Sequence, residues 1–183
     1  VATGSNDLAL HEIQLAGKKT YAGTGFLLGY QVEAGTKLGN DTMQNPRECA
    51  LDVLIKVEKK EELSHIAISN VLEKYQFSEK RDRAFFYKTG GGTLERQITI
   101  DYVADQFSKT KIRKCKPLIR ALLRMGIYQI LYMDQVPDSA ACNEAVKLAK
   151  KEDFPDYQVF VNGVLRNISR KKDEIQYPSR EKN

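Results

Sequence analysis

The sequence predicts an all-α bundle of about seven helices, preceded by a glycine-rich leader. From Met43 onward, apolar residues recur at spacings of three and four, which is the period of an amphipathic α-helix. Seven of the 12 glycines lie before Met43, so the two parts of the chain differ in composition. No segment after Met43 shows the apolar-polar alternation of a half-buried strand.

The composition indicates one ordinary domain with a basic surface. Of 183 residues, 42% are hydrophobic, which is enough for a single core, and the net charge is +5 with a pI near 9.0. The longest apolar segments are interrupted by Arg120, Arg124 and Gln129, so none reaches the roughly 18 apolar residues of a membrane helix. Because the N-terminus also lacks the order of a signal peptide, we expect a cytoplasmic protein with no membrane partner.

The cysteines and histidines argue against a metal site. Cys49, Cys115 and Cys142 are an odd number without CxxC spacing, and the two histidines are far apart. Free thiols packed between helices in a reducing compartment are therefore favoured over a disulfide or a metal cluster.

Residues 1–42 form a leader whose origin has two interpretations. The segment from Thr20 to Thr36 mixes aromatic residues, β-branched residues and glycine, which favours a β-hairpin or loose strands, with disorder as the alternative. Met43 stands where a natural start codon would. We therefore expect residues 1–42 to be a vector leader, fusion remnant or unrelated extension, and a native β-ribbon is the second interpretation.

Proline, serine and glycine residues predict the boundaries of the first helices. Pro46 opens the first helix, since proline in a first turn loses no needed hydrogen bond. Ser64 is expected to cap a second helix through Tyr75, and Ser78 to cap a third. The run Gly90-Gly91-Gly92 is expected to end that third helix, because each glycine costs about 1 kcal/mol relative to alanine. A fourth helix then spans Thr93 to Phe107.

The second half of the bundle is predicted from an unusually apolar helix. Pro117 fixes its first turn, and its apolar residues surround most of its circumference, so it requires burial on most sides. A turn at Pro137 precedes a helix capped by Asp138 or Ser139, and a last helix spans Tyr157 to Ser169. We expect residues 43–171 to form the helical domain and residues 172–183 to begin a linker.

Basic residues cluster before and within the apolar helix. Seven cations lie in sixteen residues without an acid among them, and the spacing of Arg113, Lys116 and Arg120 predicts one helical face. Such a row suits a phosphate backbone, although a solvated basic surface is an equal alternative. The seven are Lys109, Lys111, Arg113, Lys114, Lys116, Arg120 and Arg124.

Three polar residues interrupt apolar surroundings. Arg124 requires an acidic or carbonyl partner if it is buried, so a structural ion pair across helices, with Glu144 as candidate, is favoured over a functional contact. For Asn143 and Asn162 we expect a hydrogen-bonded link between the last two helices rather than a catalytic role.

Two long stretches resemble the NusB-like family. They are RALLRMGIYQILYMDQVPDSAACNEAVKLAKK and FVNGVLRNISR, and the segments NPRECALDVLIKVE and EKRDRAFFYKTGGGTLER fit the same pattern, so the resemblance extends from about Pro46 to Arg170. The fold is shared by the NusB antitermination factor and by the N-terminal domain of Sun/Fmu-type (RsmB-type) 16S rRNA cytosine-C5 methyltransferases. VPDSAACNEAVKLAKK and VLRNISR look like the methyltransferase version.

The resemblance implies RNA binding near Arg47, Arg120 and Arg124, with Phe160 as a weaker candidate. Two departures from the family pattern are visible. A free-standing NusB usually has an arginine pair where only Arg47 stands. The family usually has an apolar-aromatic pair before the glycine where this chain has Thr89-Gly90-Gly91-Gly92. Together with the charge pattern, the predicted RNA-binding residues are Arg47, Lys80, Arg81, Arg113, Lys114, Lys116, Arg120, Arg124 and Phe160.

Three functions remain open from the sequence. The first is the RNA-recognition domain of a 16S rRNA cytosine-C5 methyltransferase, whose S-adenosylmethionine domain is not in this chain. The second is a NusB-type antitermination factor that binds RNA together with a ribosomal protein, and the third is a protein-interaction bundle. No cysteine follows a proline here, unlike the nucleophile of those enzymes, so we expect this chain alone not to be catalytic.

Overall fold

The computed structural model describes residues 12–14, 20–22, 43, 45–76, 78–151 and 155–177. It divides into two units, Val1–Gly39 and Asn40–Asn183. In the first unit, β1 (Glu12–Gln14) pairs with β2 (Thr20–Ala22) in an antiparallel hairpin with Glu12 opposite Ala22. The hairpin therefore begins before the segment in which the sequence predicted it, and residues 23–36 of that segment lie outside the described residues.

Seven α-helices form the described part of the second unit, in agreement with the predicted all-α bundle. Two short 3-10 turns, Ile112–Lys114 and Lys172–Glu174, accompany them. The helices are α1 (Pro46–Glu58), α2 (Ser64–Lys74), α3 (Lys80–Glu95), α4 (Gln97–Phe107), α5 (Pro117–Tyr132), α6 (Asp138–Lys151) and α7 (Pro155–Arg170).

The helix starts agree in part with those predicted from the sequence. Pro46 begins α1 as predicted, and the side chain of Asn45 caps it by accepting from the backbone N–H groups of Arg47 and Glu48. The predicted serine caps are wrong, because the N-cap residues of α2 and α3 are Leu63 and Glu79. The hydroxyl of Ser78 instead accepts a hydrogen bond from the backbone of Met43.

The three consecutive glycines do not end α3, which corrects the predicted break. The helix continues to Glu95, and the bend to α4 lies at Arg96. A Cβ atom on Gly92 would overlap the Tyr128 hydroxyl, and one on Gly90 would lie 3.2 Å from Ile68. The close approach of neighbouring helices therefore explains these two glycines, and the packing it permits outweighs their low helix propensity.

Helix α5 is the centre of the bundle and packs against α1, α3, α4, α6 and α7. Every residue from Ala121 to Ile130 is buried, as the nearly continuous apolar circumference predicted. Gly126 allows α7 to approach, since a Cβ there would lie 2.7 Å from Leu165. Among the described helices, none has the length and apolar character to cross a membrane.

The chain beyond α7 returns to the bundle. Lys172 pairs with Asp138 at 2.8 Å, and the side chain of Gln106 exchanges two hydrogen bonds with the backbone of Gln176. Ile175 is half-buried against the core. The first part of the predicted linker, as far as Tyr177, therefore includes residues that contact the helices, and residues 178–183 lie outside the described residues.

Candidate nucleic-acid interface

An open groove of about 490 Å³ lies where the start of α1, the first half of α3 and the turn from α5 to α6 meet. Three of its side chains are cationic, and Asp82 is its one acidic residue among those described. The lining residues are Pro46, Arg47, Arg81, Asp82, Ala84, Phe85, Lys88, Gln135, Val136, Pro137 and Ala140. We call this the basic groove.

Arg47 is oriented within the basic groove by two neighbours. Its Nε donates to Gln129 Oε1 at 2.8 Å, and Gln129 is itself fixed by donating to the Met125 carbonyl at 3.0 Å. The guanidinium carbon lies 4.6 Å from the centroid of the Phe85 ring. Burial lowers the pKa of Arg47, and the charge of Glu144 partly offsets this effect, but an arginine remains charged at any physiological pH.

The cations of α3 extend the basic groove along one helical face. Arg81, Phe85 and Lys88 are spaced by four and three residues, which places them on the same side of the helix. Arg81 and Lys88 are exposed, as is the neighbouring Lys80, whereas the guanidinium of Arg83 donates to the carbonyl of Gln76. Two exposed cations of α3 therefore line the same groove as the restrained arginine of α1.

The predicted basic stripe before α5 is not a helical face. Ile112–Lys114 is a 3-10 turn and α5 begins only at Pro117, so Arg113 and Lys116 precede the helix that contains Arg120. The prediction of one helical face was wrong because it continued the helical spacing across Pro117, which starts the helix, as predicted, and does not lie within it. Arg113, Lys114 and Lys116 are exposed, and Lys116 Nζ lies 5.3 Å from the centroid of the Tyr157 ring.

Arg120 and Arg124 form ion pairs inside the bundle. Arg124 Nε and Nη2 donate to the two oxygens of Asp101 at 2.7 Å each, and its Nη1 donates to Glu58. Arg120 Nη1 lies 2.8 Å from the other oxygen of Glu58, and its Nη2 donates to the carbonyl of Cys115. The predicted interhelix pairing of Arg124 is present, but its proposed partner was wrong.

The expected partner, Glu144, pairs instead with Lys147 on its own helix at 2.7 Å. Burial lowers the pKa of Arg124, but hydrogen bonds and charge from Asp101 and then from Glu58 outweigh burial, so its pKa is raised. The assignment of Arg120 and Arg124 to RNA stays a prediction, and both guanidinium groups already have carboxylate partners.

The last two helices are joined as the sequence predicted, through a residue it did not name. Arg166 Nε donates to Asn162 Oδ1 at 2.7 Å, and Arg166 Nη2 donates to Asn143 Oδ1 at 3.2 Å. Phe160 is half-buried and packs against the hydrophobic core, so it is not a freely exposed aromatic side chain. Its predicted contact with RNA remains untested.

The structure thus separates the predicted cations into three groups. Arg47 and Arg81 share the basic groove with Lys80 nearby in sequence, the residues before α5 form a second exposed group, and the two arginines of α5 are paired internally. Sequence reasoning missed Phe85, Lys88, Gln135 and Pro137 as groove residues. The spacing of Phe85 and Lys88 from Arg81 was visible in the sequence, whereas the contribution of the α5–α6 turn required the fold.

The described residues also bear on the predictions for the metal ligands and the cysteines. They contain no group of three or more His, Cys, Asp or Glu side chains arranged to bind a metal ion. All three cysteines are free thiols, and burial raises the pKa of each.

A second, more apolar groove lies between α2 and α3, lined by residues that include Ile68, Leu72 and Leu94.

Comparison with known proteins identifies similar sequences across the helical unit. A family model described as "NusB family" matches residues 44–170. The "Probable ribosomal RNA small subunit methyltransferase B" of Bacillus subtilis is 36% identical over 138 residues, which cover 73% of this chain and 30% of that protein. The chain therefore spans less than a third of that relative.

A second relative is matched over most of its own length. The "Transcription antitermination protein NusB" of Acetivibrio thermocellus is 32% identical over 127 residues, which cover 69% of this chain and 87% of that protein. Among solved structures, a chain from "Crystal Structure of Antitermination Factors NusB and NusE in complex with dsRNA" superposes with a TM-score of 0.60. Its identity is 22%, with coverage of 70% of this chain and 98% of that chain, so it supports the fold alone.

Proposed function

The chain belongs to the NusB family, and from this membership we propose that its helical unit is an RNA-binding domain that contacts RNA through the basic groove. The main observation in support is the convergence of Arg47, Arg81 and Lys88 on one open surface beside Phe85. A phosphate backbone requires several cations within reach of one path. A single surface cation would not meet that requirement.

The arrangement of the groove suits a polyanion. Arg47 is restrained by Gln129 and Phe85, so less side-chain entropy is lost when it binds a phosphate. Arg81 and Lys88 are exposed and can adjust to the backbone of the ligand. Affinity should therefore contain a large salt-dependent component, with a slope set by the number of phosphates neutralised.

The finer proposal is that the domain recognises 16S rRNA as part of a cytosine-C5 methyltransferase. The similarity to the Bacillus subtilis methyltransferase B supports it, as do the segments VPDSAACNEAVKLAKK and VLRNISR. On this proposal, S-adenosylmethionine and the catalytic residues belong to a separate domain of the parent enzyme, and this domain contributes RNA affinity in the cytoplasm. The NusB domain would then position the enzyme on its substrate.

An antitermination factor is the second candidate. It is supported by the Acetivibrio thermocellus relative, of which the matched region covers 87%. On that alternative the domain would bind a short RNA element together with a ribosomal protein partner. The reading frame beyond the codon of Asn183 discriminates between the two, since a downstream methyltransferase domain supports the first and an immediate stop codon contradicts it.

The basic groove can be tested with a double variant, Arg81→Gln with Lys88→Gln. We expect RNA affinity to fall and the slope of log K against log salt to decrease by about 0.7 to 0.9 for each phosphate that is no longer neutralised. The measurement is fluorescence anisotropy with a labelled 16S rRNA fragment between about 50 and 200 mM salt. The matched control is Lys59→Gln, because Lys59 follows the far end of α1, about 20 Å along the helix from Arg47.

A salt-independent affinity of the unaltered chain would contradict phosphate contacts altogether. If the double variant retained full affinity while Lys59→Gln weakened binding, the contact surface would lie elsewhere. Tight binding to an acidic protein without any RNA affinity would instead support the protein-interaction bundle. These results distinguish RNA binding through the groove from RNA binding at another surface and from protein binding.

A further inference from the structure

A polar cluster joins the outer faces of α6 and α7 outside the basic groove. It is centred on Arg166, which donates to Asn162 at 2.7 Å and to Asn143 at 3.2 Å. Asn143 and Arg166 are exposed, and Asn162 is half-buried. We call these three residues the α6–α7 cluster.

The α6–α7 cluster is organised as a set of hydrogen-bond donors. Both asparagine oxygens accept from the guanidinium, so each amide nitrogen, which can only donate, is directed away from that contact. The two contacts also restrain Arg166 and reduce the entropy it loses on binding a ligand. A restrained guanidinium beside amide donors is suited to an anion that accepts several hydrogen bonds, and phosphate is such an anion.

The cluster is close to the basic groove along α6. Ala140 lines the groove, and Asn143 follows it by three residues, a rise of about 4.5 Å on a neighbouring position of the helix surface. Glu144 lies beside this path, but its carboxylate pairs with Lys147 at 2.7 Å. The charge between the two surfaces is therefore partly neutralised.

The surface beyond Asn143 is open and basic. A Cβ atom on Gly163 would meet no neighbouring element within 4 Å, so a ligand can approach the backbone of α7 there. Arg170, one turn after Arg166, is exposed, and its Nε donates to the Arg166 carbonyl. Arg166 and Arg170 therefore place two cations on successive turns of α7.

We infer that the α6–α7 cluster is a second phosphate-contact site, which extends the RNA path beyond the basic groove. This inference rests on the proposed RNA-binding function. Continuity with the groove favours a single polyanion long enough to cross α6 and contact both surfaces, and on the proposed function of the groove that polyanion is RNA. Arg166 therefore contributes affinity for long RNA and not for a short RNA bound in the groove.

RNA length is the variable that tests the cluster. Arg166→Gln should weaken binding of a single-stranded RNA of about 30 nucleotides roughly three- to tenfold, and that of about 6 nucleotides less than about twofold. The slope of log K against log salt should decrease in magnitude by about 0.7 to 0.9 for the longer RNA only. Fluorescence anisotropy with labelled oligouridylates measures both, and circular dichroism checks that this exposed substitution leaves the helices intact.

Two comparison variants separate the outcomes. Lys59→Gln removes an exposed cation at the far end of α1 and should leave both RNAs unaffected. The double variant Arg81→Gln with Lys88→Gln should weaken the binding of both RNA lengths. If it weakens the binding of neither, the proposed function of the groove is contradicted, independently of the result for Arg166→Gln. If Arg166→Gln lowers the affinity for both RNA lengths equally, or for neither, the proposal of a second site is overturned. Loss of polyglutamate binding with unchanged RNA affinity would also overturn it and would assign the cluster to an acidic protein.

Discussion

At the scale of single residues, Arg124 illustrates how a polar group is retained inside an apolar core. Only 8% of its side chain is exposed, and three of its nitrogens donate to the carboxylates of Glu58 and Asp101. Glu58 also pairs with Arg120, so two arginines on successive turns of α5 share one acid from α1. Removing Arg124 would leave both carboxylates in a poorly hydrated place with fewer partners.

We therefore predict that Arg124→Ala destabilises the bundle. The expected loss in the free energy of unfolding is about 2 to 4 kcal/mol, below the upper range for fully buried pairs because Asp101 and Glu58 are partly exposed. Urea unfolding followed by circular dichroism at pH 7 measures the loss. Arg113→Ala, at an exposed arginine before α5, should change stability by less than about 0.5 kcal/mol.

Arg124→Lys refines this prediction. A lysine keeps the charge but cannot form the paired contact with Asp101, so we expect a stability between those of the unaltered chain and the alanine variant. Unchanged stability together with abolished RNA affinity in Arg124→Ala would assign this residue to the interface rather than to the core.

At the scale of elements, α3 shows why helix propensity alone misplaces a boundary. Gly90, Gly91 and Gly92 predicted an end, but Phe86, Thr89 and Thr93 on the same helix are buried against the bundle. Thr93 also donates from its hydroxyl to the Thr89 carbonyl at 2.6 Å. Tertiary packing along the helix exceeds the propensity cost of about 1 kcal/mol per glycine.

The neighbouring glycines provide a matched pair of substitutions. Gly92→Ala should destabilise the protein by about 1 to 3 kcal/mol, because its Cβ would overlap the ring of Tyr128 and force α3 away from α5. Gly91→Ala should stabilise it by about 0.4 to 1 kcal/mol, since its Cβ would meet no neighbouring element within 4 Å and alanine favours the helix. Urea denaturation of both variants tests whether close packing explains Gly92, and two similar values would contradict that explanation.

The surroundings of the basic residues near α5 depend on where that helix begins. Arg113 and Lys116 precede α5, whereas Arg120 and Arg124 turn towards α1 and α4. The predicted stripe applied helical spacing to residues on both sides of Pro117, although the sequence had already placed the start of the helix there. The helical spacing of the basic residues therefore holds within α5 but not for the residues before Pro117.

At the scale of the whole molecule, the helical unit has its own hydrophobic core among the described residues. Its buried residues extend from Met43 to Ile168, with α5 at the centre. We therefore predict that deleting residues 1–39 changes the free energy of unfolding of the helical unit by less than about 0.5 kcal/mol. Urea unfolding of both lengths of chain, followed by circular dichroism, checks this.

A core substitution serves as the reference for that comparison. Leu122→Ala should cost about 2 to 5 kcal/mol in either length of chain, because Leu122 is fully buried in α5. A loss of more than about 1 kcal/mol on deletion alone would mean that residues 1–39 contribute to the stability of the bundle.

Much of the architecture was predictable from the sequence, and the interface less so. Periodicity predicted seven helices and the burial of α5, and polar positions predicted the Asn143 and Asn162 link. The partners of Arg124 were not predictable, because Glu58 and Asp101 are 66 and 23 residues away and no local pattern relates them. Of the predicted RNA residues, Arg47 and Arg81 meet in one groove, and the sequence did not distinguish them from the others.

The sequence by itself determined the helical period, the central apolar helix and the family, since these depend on residues that are near each other along the chain. Only the tertiary structure decided that α3 continues through its glycines and that Arg120 and Arg124 have internal partners. It also decided that Arg47, Arg81 and Lys88 face one groove. The physical reason is that ion pairs, close helix contacts and grooves form between distant segments, and their energies depend on distances that spacing along a chain does not specify.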